Sequence, residues 1–174
     1  MRRFLTVSAT LAVVGLAAAC GPATVTPDDA DHTRLAQLRT EGVLSGASAV
    51  TEHPGSTVKG KIGAVPDVVE ATLPAAADGG KALLAALRSG GWTVTGAECA
   101  AGKTVLGGFR QDGALPRTVR VEVTPAGTTV TLMAPFHTDH TPYFGGVAPQ
   151  SLTSTCVETG ESGRAGTFPS LGGQ

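Results

Sequence analysis

The stretch TVRVEVTPAGTTVTLMA, residues 118–134, decides the fold because two runs of alternating side chains flank a short turn. Valines at every second position of the first run fall on one face, as do Val130 and Leu132 in the second run. Between the runs, Pro125 presets φ for a turn and Gly127 offers a residue that tolerates positive φ. The stretch therefore predicts an antiparallel hairpin with one buried face.

Short alternating segments on the N-terminal side of this hairpin predict further strands. They are residues 57–63, 67–73, 93–98 and 104–110, with 64–66 as a turn. Helices are predicted at 31–40 and 81–89, the second with a compact leucine face that Gly90 and Gly91 end. We therefore expect an α+β fold, an antiparallel β-sheet with one or two helices packed on one face.

The first twenty residues have the features of an export signal. Arg2 and Arg3 precede an apolar run that ends at Leu16, and Ala17-Ala18-Ala19-Cys20 provides a small-residue cleavage site. This segment resembles the lipobox of bacterial lipoproteins, in which the cysteine thiol accepts a diacylglyceryl group. The resemblance implies a signal peptide over 1–20 and a lipidated Cys20 that anchors the protein to the extracytoplasmic face of the cell membrane.

Apart from residues 1–20, 154 of the 174 residues remain, which is the size of one domain. Residues 21–28 contain prolines and threonines without apolar periodicity, so they predict a flexible tether. We expect a single α+β domain over 29–157. The glycine-rich polar segment 158–174 predicts a disordered tail.

Charge and composition narrow the class of partner. Without Arg2 and Arg3, eleven basic and fourteen acidic side chains remain, and there is no basic block. Nucleic acid is therefore not an expected partner. The chain is rich in Ala and Gly, lacks Asn and has a single Ile. With the lipobox, this bias resembles that of small lipoproteins of actinobacteria, which implies a cell-envelope location and no assigned activity.

Cys99 and Cys156 are the cysteines that remain beyond Cys20. In an exported protein such a pair is expected to form a disulfide. Two buried thiols are the alternative.

The connection after residue 134 carries the candidate binding residues. They are the aromatic side chains Phe136, Tyr143 and Phe144 and the metal-capable side chains His137, Asp139 and His140. Aromatic rings beside ionisable groups are typical of a recognition loop. The histidines and the aspartate could ligate a metal if His32 or His53 added a ligand. The alternatives are a solvated polar loop and rings that cover the edge of the core.

Two segments resemble catalytic motifs, but neither has the context that its chemistry needs. Gly102-Lys103-Thr104 lacks the first glycine of a phosphate-binding loop at the required spacing. Ser56-Thr57-Val58-Lys59 lies in a β-like stretch, where serine and lysine would not meet on a helix face. We therefore expect no enzymatic activity and no cofactor.

The leading hypothesis is a membrane-anchored interaction or accessory domain. The partners expected from this hypothesis are the membrane, through lipid on Cys20, and an envelope protein. The alternative is a small extracytoplasmic module that binds a metal or small ligand at 137–144.

Overall fold

A computed structural model describes residues 25–26, 29–58, 64–112, 115–134 and 149–170. The strands in these ranges are β1 (Val25–Thr26), β2 (Ala49–His53), β3 (Ser56–Val58), β4 (Ala64–Val65), β5 (Asp67–Leu73), β6 (Thr93–Ala100), β7 (Lys103–Asp112), β8 (Leu115–Thr124), β9 (Gly127–Ala134) and β10 (Gly163–Gly166). The helices are α1 (Asp29–Arg39), α2 (Lys81–Ser89) and α3 (Cys156–Thr159), and a 3-10 turn spans Gly42–Leu44.

The main sheet has seven antiparallel strands in the order β10-β6-β7-β8-β9-β5-β2. Strands β6 to β9 form a meander in which each strand pairs with the next along the chain. Strands β5 and β2 extend the meander on one side and β10 extends it on the other. Strands β1, β3 and β4 pair separately as a small three-stranded sheet.

The hairpin predicted from residues 118–134 is present as β8 and β9, with Val121 opposite Val130. Its turn differs from the prediction in one respect. Gly127 pairs with Thr124 as the first residue of β9, and its φ is not positive. The turn is closed instead by the Thr124 hydroxyl, which donates to the Gly127 carbonyl at 3.0 Å.

One face of the sheet and the helices enclose the core. A cross-strand row of buried side chains runs through Leu106, Val121, Val130 and Ala71. Helix α1 packs against β5 and β9, and helix α2 packs against β6. The leucines of both helices and Trp92 join the same cluster, which is the burial that the alternating pattern predicts. The expected α+β class, with helices packed on an antiparallel sheet, is confirmed.

Helix α2 begins at a capping arrangement that the sequence analysis missed. The Asp78 carboxylate accepts the backbone N–H of Ala82 at 2.6 Å and that of Gly80 at 3.0 Å. The Ala82 N–H, helped by that of Gly80, lowers the pKa of Asp78 below its ordinary value despite some desolvation. Gly80 precedes the helix with φ +99°, a conformation that favours glycine.

Three expectations about local structure are wrong. Residues 25–26 lie in the segment expected to be a flexible tether, but they form strand β1, which pairs with β3. Residues 64–65 form the short strand β4, where a turn was expected. The tail expected to be disordered from residue 158 is ordered as far as residue 170, because it completes α3, adds β10 to the sheet and buries Pro169. The polar, glycine-rich composition of this tail gave no indication that it pairs with β6, because backbone hydrogen bonds need no apolar side chains.

Candidate functional site

The residues that the sequence singles out for lipidation and ligand binding lie outside the described part of the structure. They are Cys20, Phe136, His137, Asp139, His140, Tyr143 and Phe144, together with the side chain of His32. His53 is exposed on β2, with its Nε2 3.7 Å from Oε2 of Glu70. Within the described ranges, no three His, Cys, Asp or Glu side chains are grouped to hold a metal ion. The binding and metal hypotheses for residues 136–144 stay predictions.

The disulfide predicted between Cys99 and Cys156 is confirmed. The two Sγ atoms are 2.05 Å apart and the two Cα atoms are 5.9 Å apart, a separation that a disulfide spans without backbone movement. The bond joins β6 to the first residue of α3. It therefore holds the chain after the β-meander against β6, the first strand of the meander.

A buried ion cluster is centred on Glu41, between α1 and the 3-10 turn. One carboxylate oxygen accepts a hydrogen bond from Nε of Arg117, and the other lies 3.2 Å from Nη1 of Arg110. Arg110 and Arg117 are register partners on β7 and β8. Because these guanidinium groups are neighbours on the sheet, the carboxylate between them offsets the repulsion of two like charges. The cluster fixes the chain after α1 to the sheet.

Asp67 at the start of β5 is the second buried carboxylate of the described residues. Its Oδ1 accepts the N–H of Gly55 and its Oδ2 accepts Nε of Arg34, both at 2.6 Å. A Cβ atom on Gly55 would lie 2.6 Å from the carbonyl oxygen of Val65, so the approach requires glycine. Both buried carboxylates thus hold elements of the fold together.

A shallow groove of about 280 Å³ separates α2 from α3. It is lined by Lys81, Leu84, Ala85, Arg88 and Glu158. Arg88 and Glu158 close one part of it with two hydrogen bonds of 2.5 and 3.2 Å. Glu158 also accepts the backbone N–H and the hydroxyl of Thr155, which forms a capping box at the start of α3. The pair ties α3 to α2.

The Arg88–Glu158 pair predicts an acid-sensitive contribution to stability. The Arg88 guanidinium and the Thr155 donors lower the pKa of Glu158 from 4.5 to about 2. Because the folded-state pKa is depressed, this contribution is present above pH 4.5 and is lost as the pH falls toward 2. Glu158→Gln should therefore flatten the decline of the unfolding free energy between these pH values, as measured by urea titrations at each pH.

The control for this measurement is Glu161→Gln, which removes an exposed carboxylate from the same segment. Its pH profile should follow that of the wild type. If the Glu158→Gln profile also ran parallel to the wild type, the folded-state pKa of Glu158 would not be depressed.

The outer face of the sheet carries a surface made of glycine backbone. It lies near the side of β6 that does not pair with β7, which we call the β6 edge. Gly166, Gly96 and Gly107 are successive register partners on β10, β6 and β7. A Cβ atom would lie 3.0 Å from Cγ of Phe168 if added at Gly96, and 2.7 Å from its Cδ1 if added at Gly107. The Thr167 carbonyl oxygen lies 2.7 Å from a Cβ added at Gly96, so this carbonyl and the Phe168 ring together occupy the space that these side chains would fill. We call Gly96 and Gly107 the glycine platform.

Two arginines flank the ring on the glycine platform. The Cζ of Arg164 is 5.1 Å from the centroid of the Phe168 ring, and that of Arg120 is 6.0 Å away. Both distances are in the range of a cation–π contact. Arg120 is the register partner of Gly107, so it stands at the end of the platform. Phe168 thus rests on backbone and is bordered by two cations.

Backbone hydrogen bonds hold the segment that carries this ring. We call residues 161–170 the C-terminal arm. Its strand β10 pairs antiparallel with β6 over Gly163–Gly166, and the N–H of Thr167 then donates to the carbonyl of Thr95 at 2.8 Å. Thr95 lies at the irregularity in the pairing of β6 with β7. The arm is bound as an added edge strand followed by an aromatic residue and a proline.

Sequence reasoning missed this surface, although two signals pointed to it. The predicted disulfide between Cys99 and Cys156 indicates that the segment after Cys156 lies close to the strand that contains Cys99. Phe168 followed by Pro169 is a large apolar pair in a segment otherwise rich in glycine and polar residues, where such a pair needs a partner surface.

No protein-family model, curated protein or solved structure matches this chain. None of the described helices is both long enough and apolar enough to cross a membrane.

Proposed function

We propose that this chain is a lipid-anchored protein of the bacterial cell envelope and that its folded domain is a non-enzymatic interaction module. The observation that carries the proposal is the segment Ala17-Ala18-Ala19-Cys20 after an apolar run and two arginines. Small residues suit a signal peptidase, and the cysteine thiol is the group that accepts the lipid. The anchor would hold the domain at the extracytoplasmic face of the cell membrane.

The disulfide supports the compartment part of the proposal. Disulfides form and persist in oxidising compartments and are rare in the cytosol. The bond between Cys99 and Cys156 joins parts of the domain separated by 57 positions, so it belongs to the fold. A protein exported past the membrane would meet the conditions in which this bond is stable.

The contacts of the two buried carboxylates support the proposal that the domain is a non-enzymatic interaction module. Glu41 and Asp67 are each held by arginine side chains and link separate elements of the fold. These carboxylates therefore have a structural role, because their ion pairs join separate elements of the fold. The surface shaped to hold another segment is the glycine platform with the β6 edge, where the chain already binds an extended segment. Recognition of polypeptide by added strands is a common mode of interaction.

The test of the anchor is detergent-phase partitioning of the protein expressed with its own signal. The wild type should enter the detergent phase almost completely, because two or more acyl chains bind a membrane essentially irreversibly. Cys20→Ala should stay in the aqueous phase. Mass spectrometry of the wild type should find the acyl groups on an N-terminal Cys20.

A Cys156→Ser variant is the matched control, since it loses a cysteine and keeps the lipidation site. It should partition as the wild type does. Equal aqueous partitioning of the wild type and Cys20→Ala would contradict the anchor and would leave an ordinary secretory signal.

A further inference from the structure

The C-terminal arm lies on the domain in the manner of a bound peptide. Its strand β10 adds to the edge of β6, and every residue of Gly163–Gly166 is exposed. The residues of the arm that are partly or fully buried are Thr167, Phe168 and Pro169. Peptides that bind by strand addition show this division, in which backbone hydrogen bonds give affinity and a few side chains in pockets give specificity.

The contacts that hold α3 to the domain lie before the arm along the chain. Helix α3 ends at Thr159. Gly160 follows it with φ +75°, and Glu161 and Ser162 then lead into β10. The disulfide at Cys156 and the ion pair of Glu158 both lie before this point, so they keep α3 in place without the arm. The hydrophobic cluster of the domain contains no residue of the arm.

The chemistry of the occupied surface defines what it would accept. Two side chains lie above the glycine platform: the Phe168 ring and, at Gly107, Pro169, whose Cδ is 3.0 Å from an added Cβ. Arg120 and Arg164 favour the face of an aromatic ring over an aliphatic side chain. Arg164 belongs to the arm itself, so Arg120 is the flanking cation that would remain for another occupant.

We propose that the β6 edge and the glycine platform form a peptide-binding groove, and that the C-terminal arm is its resident intramolecular occupant. The ligand is an extended segment of an envelope protein that carries an aromatic residue followed by proline, and it binds by displacing the arm. This inference rests on the proposed interaction function and gives it a site and a class of partner. The arm would then act as a competitive inhibitor covalently joined to its own receptor.

The experiment uses the complete Cys20→Ala chain with a protease site inserted between Glu161 and Ser162. This chain carries no lipid whatever the outcome of the anchor test, so the two proposals fail separately. After folding and cleavage, a fluorescent peptide of residues 162–174 should replace the severed arm, as measured by anisotropy. The uncleaved protein should bind the same peptide at least about 100-fold more weakly, because a tethered arm competes at an effective concentration near millimolar.

Two peptide variants form a matched pair. Phe168→Ala should weaken binding about 10-fold or more, since it removes the anchoring ring. Gly163→Ala should bind as the wild-type peptide does, because a Cβ there meets nothing within 4 Å. A third peptide keeps Gly166, Phe168 and Pro169 and replaces its other residues with serine. It should still displace the arm, as recognition by a short motif requires.

Several results would overturn the proposal. One is a cleaved protein that stays folded yet does not exchange its arm. Another is equal binding of the wild-type and Phe168→Ala peptides. Loss of binding by the serine-substituted peptide would restrict the groove to this chain's own sequence. Exchange of arms between two uncleaved copies, seen as a dimer in light scattering, would assign the groove to a second copy and not to a different protein.

Discussion

Replacement of Glu41 by alanine is expected to lower the free energy of unfolding by about 3–5 kcal/mol, the usual cost of breaking a buried ion pair from one side. The Glu41 side chain is 5% exposed and that of Arg117 is 10% exposed, so water screens their attraction poorly. Removing the carboxylate leaves two neighbouring guanidinium groups, Arg110 and Arg117, without the anion between them. Urea unfolding at neutral pH measures the loss.

Glu52→Ala is the matched control for Glu41→Ala. Glu52 pairs with Arg39 at the surface, where their side chains are 34% and 61% exposed, and such pairs contribute up to about 1 kcal/mol. A double variant that adds Arg117→Leu to Glu41→Ala should recover part of the loss, because it also removes the buried positive charge. If Glu41→Ala cost no more than Glu52→Ala, the cluster would not stabilise the fold in the way described.

Loss of the disulfide is expected to cost about 4 kcal/mol on the chain-entropy argument for a closed loop of this length. Cys99 and Cys156 are 57 positions apart, so the bond restricts a large part of the unfolded chain. Typical domains are stable by only about 5–15 kcal/mol, so this loss would be a large fraction of the whole. The comparison is between the wild type and the Cys99→Ser/Cys156→Ser variant in urea unfolding.

The reduced wild type is the control for the double-serine variant, since it breaks the bond without changing the packing of other side chains. Both should lose similar stability. Hydrogen exchange should rise most in Cys156–Thr159 and Gly163–Gly166, which the bond holds against β6. A reduced protein whose unfolding free energy stayed within about 1 kcal/mol of the oxidised one would contradict the prediction.

Local patterns carried enough information to predict strands β5 to β9 of the main sheet and the two longer helices. The valine alternation before Pro125 could form only one hairpin with a buried face, and that hairpin is present. The leucine face of residues 81–89 predicted α2 because helical spacing collects those side chains on one side. The disulfide also followed from the sequence, because Cys99 and Cys156 were the pair of cysteines left in a chain predicted to be exported.

The buried charges and the C-terminal arm depend on contacts between residues distant in the chain. Glu41 contacts Arg117, which is 76 positions away in the chain. No periodic pattern in a single sequence indicates that this glutamate is buried between two arginines. Strand β10 has the sequence Gly-Arg-Ala-Gly, which lacks the β-branched and aromatic residues that mark strands. Its pairing arises from the position that the disulfide and α3 give it, which local propensity does not encode.

The meander of β6 to β9 has a consequence for the order in which the domain folds. Each of its strands pairs with the next one along the chain, so only short loops must close before those contacts form. Pairings of low sequence separation form fastest, whereas β5 must find β9 across the intervening helix and three strands. We therefore expect the meander to be the folding nucleus, with the helices, β2 and β10 added to a sheet that already exists. Cys99 would then be fixed in place before Cys156 reaches it, so the folded meander would position the thiol with which Cys156 forms the disulfide.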